Sequence, residues 1–318
     1  MAAGVLLGSL LCLSLATDAG AVTVFWANSS ANKISHAGQL EEGRGTDIPI
    51  DPAYLDVPVA VAINPGVGKI YWLNTGHGDS IGFANMDGSS PGFLNTAGAS
   101  FSGPSGLALD PAAGRLYWGN STGGSIGYAL LDGTGGGQLD IAGATAEPNA
   151  LVVDPLVRRI YWSNSTADKI SYANLDGTAA RDLDTSGAPV ESPTGVTIIS
   201  RTGRIYWANQ DGDSIGSASI DGGGGERVDF NTVVSKPVGL ASDGGTLFWG
   251  SREPEAIRDG NLAGCCTVPL EPGATQSGVS GPVLLESPRI AGAEGVPTVS
   301  GLPRPGSTLS CSALQWQG

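Results

Sequence analysis

A short aromatic stretch returns six times in this chain, and its period constrains the fold more than any other feature. It reads Gly114-Arg115-Leu116-Tyr117-Trp118-Gly119-Asn120, with copies at Gly68-Lys69-Ile70-Tyr71-Trp72-Leu73-Asn74 and Gly203-Arg204-Ile205-Tyr206-Trp207-Ala208-Asn209. Arg159-Ile160-Tyr161-Trp162-Ser163-Asn164 is a close copy. Val24-Phe25-Trp26-Ala27-Asn28 and Leu247-Phe248-Trp249-Gly250-Ser251 are weaker copies that open and close the series. The tryptophans Trp26, Trp72, Trp118, Trp162, Trp207 and Trp249 lie 46, 46, 44, 45 and 42 residues apart. A unit of that size cannot bury its apolar face alone; it must stack on its neighbours.

The stretch itself reads as a strand buried on both faces, because Ile70 and Trp72 point one way and Tyr71 the other. Such a strand, called B here, belongs in the middle of a small sheet between two neighbouring sheets. About 13 residues upstream of each B after the first lies an apolar segment beginning with proline, as in Pro104-Ser105-Gly106-Leu107-Ala108-Leu109; this is strand A. Asn64-Pro65, Asp110-Pro111 and Asp154-Pro155 start the A–B turn. Strand C follows B with Ile34, Ile81, Ile126, Ile170, Ile215 or Ile257 at a fixed offset. Asp-Gly pairs at 87–88, 132–133, 176–177 and 221–222 predict tight turns into an outer strand D, with φ > 0 at both residues. Four strands in about 45 residues is the signature of a propeller blade. The first B strand has no A before it, whereas Pro282-Val283-Leu284-Leu285 has the A pattern and no B after it. The expected fold is therefore an all-β, six-bladed propeller of four-stranded blades. Its ring closes when this C-terminal inner strand pairs with the N-terminal blade, which removes the free sheet edges.

The same residues resemble the YWTD repeats of low-density-lipoprotein-receptor-type six-bladed propellers, over residues 22–286. The resemblance rests on Gly-Arg-Ile-Tyr-Trp, on the upstream Gly-Leu-Ala-Leu-Asp-Pro and on the downstream Leu-Asp-Gly. It departs at the fourth motif position, where the family has an aspartate that bridges blades. Here stand Asn28, Asn74, Asn120, Asn164, Asn209 and Ser251. An amide can still accept and donate, so the resemblance implies the same bridge with a weaker, uncharged bond.

The ends of the chain read differently. Residues 1–21 have the apolar run and the small-residue site Ala19-Gly20-Ala21 of a signal peptide, which implies a secreted or cell-surface protein. No later stretch is long enough for a membrane helix, so no membrane insertion is expected after its removal. Residues 287–318 read as a linker and a truncated fragment that resembles the start of a bacterial surface Ig-like repeat. About 30 residues cannot make a sandwich alone, and a Pro/Gly-rich tail is the other reading. Cys265, Cys266 and Cys311 are neither a disulfide framework nor a zinc site; the adjacent pair reads as two thiols or as a vicinal disulfide.

The formal net charge is −14 and only 14% of residues are charged, which argues against nucleic acid as a partner. Nothing pairs a nucleophile with a base or gathers three metal ligands, so no catalysis, cofactor or metal is expected. Of the two histidines, His36 falls where other blades have Phe83, Tyr128 and Tyr172 on strand C, a packing position, and His77 falls in a B–C turn. One constellation remains. Two residues before the strand-C isoleucine stand Asn32, Asp79, Gly124, Asp168, Asp213 and Glu255, which the repeat puts at one radius on one face. They read either as turn formers or as an acidic ring for a basic ligand. The D–A loops share that face and carry Tyr54, Leu55, Phe101, Phe230 and Val234, expected to be exposed. These features predict a non-catalytic binding module for a protein or a cell-surface polymer on the B–C/D–A face. The alternatives are a propeller enzyme of lyase or lactonase type and a spacer in a larger adhesin.

Overall fold

The computed structural model describes residues 23–38, 45–230, 233–262, 279–285, 299–300 and 310–311, without the side chains of Glu255 and of the last three segments. The expected signal peptide, Cys265, Cys266, the outer strand of the last blade and most of residues 287–318 lie outside the described residues.

The chain divides into two units, one of them Ala21–Leu285. That unit is a ring of six antiparallel sheets. Blade 1 holds β1 (Thr23–Asn28), β2 (Lys33–Gly38) and β3 (Thr46–Asp47). Blade 2 holds β4 (Pro58–Asn64), β5 (Lys69–Asn74), β6 (Ser80–Asn85) and β7 (Gly92–Phe93). Blade 3 holds β8 (Pro104–Asp110), β9 (Arg115–Asn120), β10 (Ser125–Leu130) and β11 (Gly136–Leu139). Blade 4 holds β12 (Pro148–Asp154), β13 (Arg159–Asn164), β14 (Lys169–Asn174) and β15 (Arg181–Asp182). Blade 5 holds β16 (Pro193–Ile199), β17 (Arg204–Asn209), β18 (Ser214–Ser219) and β19 (Glu226–Val228). Blade 6 holds β20 (Pro237–Ser242), β21 (Thr246–Arg252) and β22 (Glu255–Asn261). The inner strand of blade 1 is β23 (Val279–Leu285), which pairs with β1 so that Val283 faces Phe25 and Leu285 faces Thr23. Neighbouring inner strands touch all the way round. The second unit, residues 1–20 with 286–318, shows one short pairing of β24 (Val299–Ser300) with β25 (Ser310–Cys311).

The repeat explains the packing. All six tryptophans are fully buried, and so are Tyr117 and Tyr161 on the opposite faces of their strands. In blades 2, 3 and 5 the indole lies close over strand C, and a glycine there makes room for it. A Cβ on Gly127 would sit 2.4 Å from the ring of Trp118, and Gly82 and Gly216 stand equally close to Trp72 and Trp207. Gly127→Ala is therefore expected to cost about 2–3 kcal/mol by overpacking, measurable by chemical denaturation. The basic residue opening strand B is also accounted for: Arg115 and Arg159 lie over Tyr128 and Tyr172 at 4.7 and 4.9 Å, as cation–π pairs. His36 takes the same packing place in blade 1, stacked on Phe25 at 5.4 Å.

The Asp-Gly turns differ from expectation. Only the glycines Gly88, Gly133, Gly177 and Gly222 have positive φ. Asp87 instead accepts from the amide and hydroxyl of Ser89, and Asp132 and Asp176 do the same with Thr134 and Thr178. The side chain thus mimics a turn of backbone, so the aspartate itself stays out of the left-handed region.

Candidate functional site

The inner strands surround a central channel of about 1130 Å³, lined by both apolar residues such as Val59 and Val152 and polar ones such as Ser105 and Thr194. One mouth is formed by Ser29, Thr75, Asp79, Gly103, Arg252 and Glu253, at the B–C/D–A end. Pro65, Pro111 and Ser242 line the A–B end.

The loops around the first mouth are held by the motif asparagines. Asn120 accepts from the Ser102 amide at 2.9 Å, and its Nδ2 donates to the Ser100 carbonyl at 3.1 Å and to Ser125 Oγ at 3.2 Å. Trp118 Nε1 donates to the same Ser100 carbonyl. Blades 2 and 5 repeat this with Asn74 on Tyr54 and Asp56, and Asn209 on Pro189 and Glu191. In these three blades the amide pins the incoming D–A loop by both its acceptor and its donor, whereas Asn164 accepts from the Glu147 amide and donates to Ser171 in its own blade. An ionised carboxylate would meet the carbonyl with no hydrogen, so asparagine is here the better-suited group rather than a weaker stand-in.

The expected ring of offset residues resolves into latches and one exception. Asn32, Asp168 and Asp213 have left-handed backbones, with φ of 56°, 54° and 44°. Each accepts the amide that opens the next blade: Val57 to Asn32 at 2.8 Å, Ser192 to Asp168 at 2.6 Å, Lys236 to Asp213 at 2.7 Å. These side chains join adjacent blades. Glu255 opens β22, and its side chain is outside the described ones. Asp79 departs from the pattern because its loop, residues 75–79, is one residue longer than the four-residue B–C turns of blades 1, 3, 4 and 5. It is exposed, lacks the left-handed backbone and makes no hydrogen bond among the described residues. The rest of its loop is anchored through His77, whose amide donates to Asp56 at 2.6 Å. That bond, with the imidazole beside it, holds the Asp56 carboxyl below its usual range.

The loop aromatics are not exposed as expected. Tyr54, Phe101 and Phe230 are half-buried and Leu55 is buried. Phe101 stacks on Trp118 at 4.9 Å, Phe230 tilts over Trp249 at 5.3 Å, and Tyr54 packs on Phe93 at 5.1 Å. Each caps the end of a blade core, since the D–A loop passes directly over the open edge of the indole. The large exposed apolar residues are others: Val57 and Val233 in D–A loops on this face, Val67, Leu156 and Val157 on the A–B turns of blades 2 and 4, and Phe93 on an outer strand. Sequence reading missed these; Pro155-Leu156-Val157 in a turn was the available signal.

Two carboxylates away from this face have strongly displaced titration. Burial pushes Asp182 up, but Lys169, the Thr145 amide and hydroxyl, and Ser171 outweigh it and hold it at about 2. Asp259 on β22 is buried opposite Phe248, and burial pushes it up to about 6. Folded Asp259 binds its proton more tightly than the unfolded chain does. Its contribution to stability is therefore lost as pH rises from about 4 to about 6, with a full penalty of about 3 kcal/mol above that. Asp259→Asn is expected to raise the melting temperature at neutral pH and to leave it unchanged near pH ~4, as read by thermal unfolding.

Fold and rim together define a six-bladed β-propeller with loop-latched blades. No protein-family profile matches the sequence. A human protein described as low-density lipoprotein receptor-related protein 5-like is 38% identical over 67 residues, 21% of this chain and 26% of that protein. The matched stretch thus spans about a quarter of that relative's length. A chain of the nidogen–laminin complex superposes with a TM-score of 0.70 at 21% identity, covering 83% of this chain and 98% of that one. A catalytically inactive variant of virginiamycin B lyase from Staphylococcus aureus, with quinupristin, superposes with a TM-score of 0.57 at 15% identity, covering 80% and 86%. At these identities the two structures speak for the fold.

Proposed function

We propose that this chain is an exported, non-catalytic binding module that holds a protein partner on its B–C/D–A face, centred on the channel mouth beside Asp79. The observation that carries this reading is the contrast between Asp79 and its repeat equivalents. Asn32, Asp168 and Asp213 are engaged by backbone amides, whereas Asp79 stands exposed at the rim of a channel lined by both polar and apolar groups. A carboxylate with no hydrogen bond among the described residues, beside a recess of mixed polar and apolar lining, suits a basic or amide side chain with an aliphatic stem. The likeness to a receptor-related protein and to a chain of the nidogen–laminin complex favours a protein over a cell-surface polymer. Nucleic acid is disfavoured by the net charge of −14.

The lyase neighbour keeps an enzyme reading in view. Against it, His36 is packed on Phe25, and His77 is fully exposed beside Asp56 rather than facing a nucleophile. The test is capture of a partner by the immobilised full chain, followed by affinity measurement for variants. Asp79→Asn is expected to weaken binding about tenfold, ~1.4 kcal/mol. Asp168→Asn, which keeps an acceptor for Ser192, and Leu156→Asp on the opposite face should each leave it within about twofold. Unchanged affinity of the Asp79 variant would remove the proposal, and loss through Leu156→Asp would move the site to the A–B face.

A further inference from the structure

The sequence contains three Asn-x-Ser/Thr triplets, at Asn28-Ser29-Ser30, Asn120-Ser121-Thr122 and Asn164-Ser165-Thr166. This pattern is the acceptor for N-linked glycosylation and normally marks a surface loop. Here all three fall on the motif asparagines that end strand B. The coincidence has a local cause: the motif ends strand B with asparagine, and the B–C turn that follows opens with small hydroxyl residues. Asn28, Asn120 and Asn164 are each 0% exposed. Their Nδ2 atoms are committed inside the blade. Asn28 donates to Ser35 Oγ at 2.7 Å, Asn164 to Ser171 Oγ at 2.9 Å, and Asn120 to the Ser100 carbonyl and Ser125 Oγ.

We infer that N-glycosylation and blade assembly exclude each other at these three positions, so the chain matures only where unfolded polypeptide does not meet a lipid-linked oligosaccharide and its transferase. In that transfer Nδ2 forms a bond to the sugar's C1. The bond from C1 to the lipid diphosphate breaks, the diphosphate leaves with the electron pair, and the transferase takes the amide proton. One donor hydrogen of the latch is lost, and a sugar ring stands where the Ser100 carbonyl lies 3.1 Å from Asn120 Nδ2. A folded blade offers no access to this nitrogen, so the reaction is confined to the unfolded chain and then prevents folding. This rests on the latch geometry and is independent of which face binds a partner. It narrows the proposed export route to one across a membrane whose far side lacks this transferase.

The test is to send the full chain, behind a cleavable secretory signal, into a glycosylating host. It is compared there with the triple variant Ser30→Ala, Thr122→Ala, Thr166→Ala. Those three side chains are exposed and make no hydrogen bond among the described residues, so the variant removes the acceptor pattern while keeping every latch. The wild type is expected to carry glycans removable by peptide N-glycosidase, to be retained and to be cleaved readily by protease. The variant is expected to be unmodified, released at least tenfold more abundantly and protease-resistant. Release of folded wild type, with or without glycans on these asparagines, would overturn the inference. Retention of the variant alongside the wild type would overturn it too, since the glycan would not then be the cause.

Discussion

A chain ended after residue 278 is expected to yield no cooperatively folded propeller, while one ended after Leu285 keeps its melting transition. The seven residues of β23 are the only inner strand of blade 1 among the described residues, and they pair with β1 from Thr23 to Asn28. Without them β1 becomes a bare edge, with Val24 and Phe25 losing their ladder partners Leu284 and Val283. The contacts of β23 with β20 and β4 go as well, and blades 6 and 2 lose the wall between them. Such a loss exceeds the roughly 5–15 kcal/mol that holds a typical domain folded. Near-ultraviolet circular dichroism with calorimetry reads the result: loss of aromatic asymmetry in the first truncation and its retention in the second.

Asn120→Asp should cost about 2–4 kcal/mol at neutral pH, despite being nearly isosteric and matching the YWTD family's own residue. The substitution removes the hydrogens that Nδ2 gives to the Ser100 carbonyl and Ser125 Oγ, and it buries a charge that faces a carbonyl oxygen. The new carboxyl would have a folded-state pKa above its unfolded value near ~4. Its protonated form can again donate to Ser100, so the lost stability returns as pH falls through the raised pKa and is restored below the unfolded one. Urea denaturation across that range checks both the size and the sign. A variant as stable as wild type at neutral pH would show that the donor half of the latch contributes nothing.

What could be read from the residues follows from where their physics is decided. The Tyr-Trp strands, the inner strands, the blade count and the closure by residues 279–285 depend on periodicity and apolar bulk. These are local quantities, and the ladder between Val283 and Phe25 follows from them. The rim was less legible because it depends on single hydrogen bonds across blades. Asp168 and Asp213 look alike in sequence to Asp79, yet one extra residue between Asn74 and Ser80 releases Asp79 from the latch its equivalents make. Phe101 looks like a contact residue in a polar loop, but the path of that loop lays its ring on Trp118. The role of Asn120 as a donor could not be weighed until the Ser100 carbonyl was found beside it. The apolar A–B turns at Val67 and Leu156 are short enough to pass as turn residues with no pattern of their own.

Hydrogen exchange on the full chain, alone and bound to its captured partner, tests the proposed binding face most directly. Slowed exchange in residues 75–79, 101–104 and 250–253, with the A–B turns at 65–68, 111–114 and 155–158 unchanged, is the predicted result. Protection confined to those A–B turns, with the loop of Asp79 exchanging as in the free protein, would contradict it.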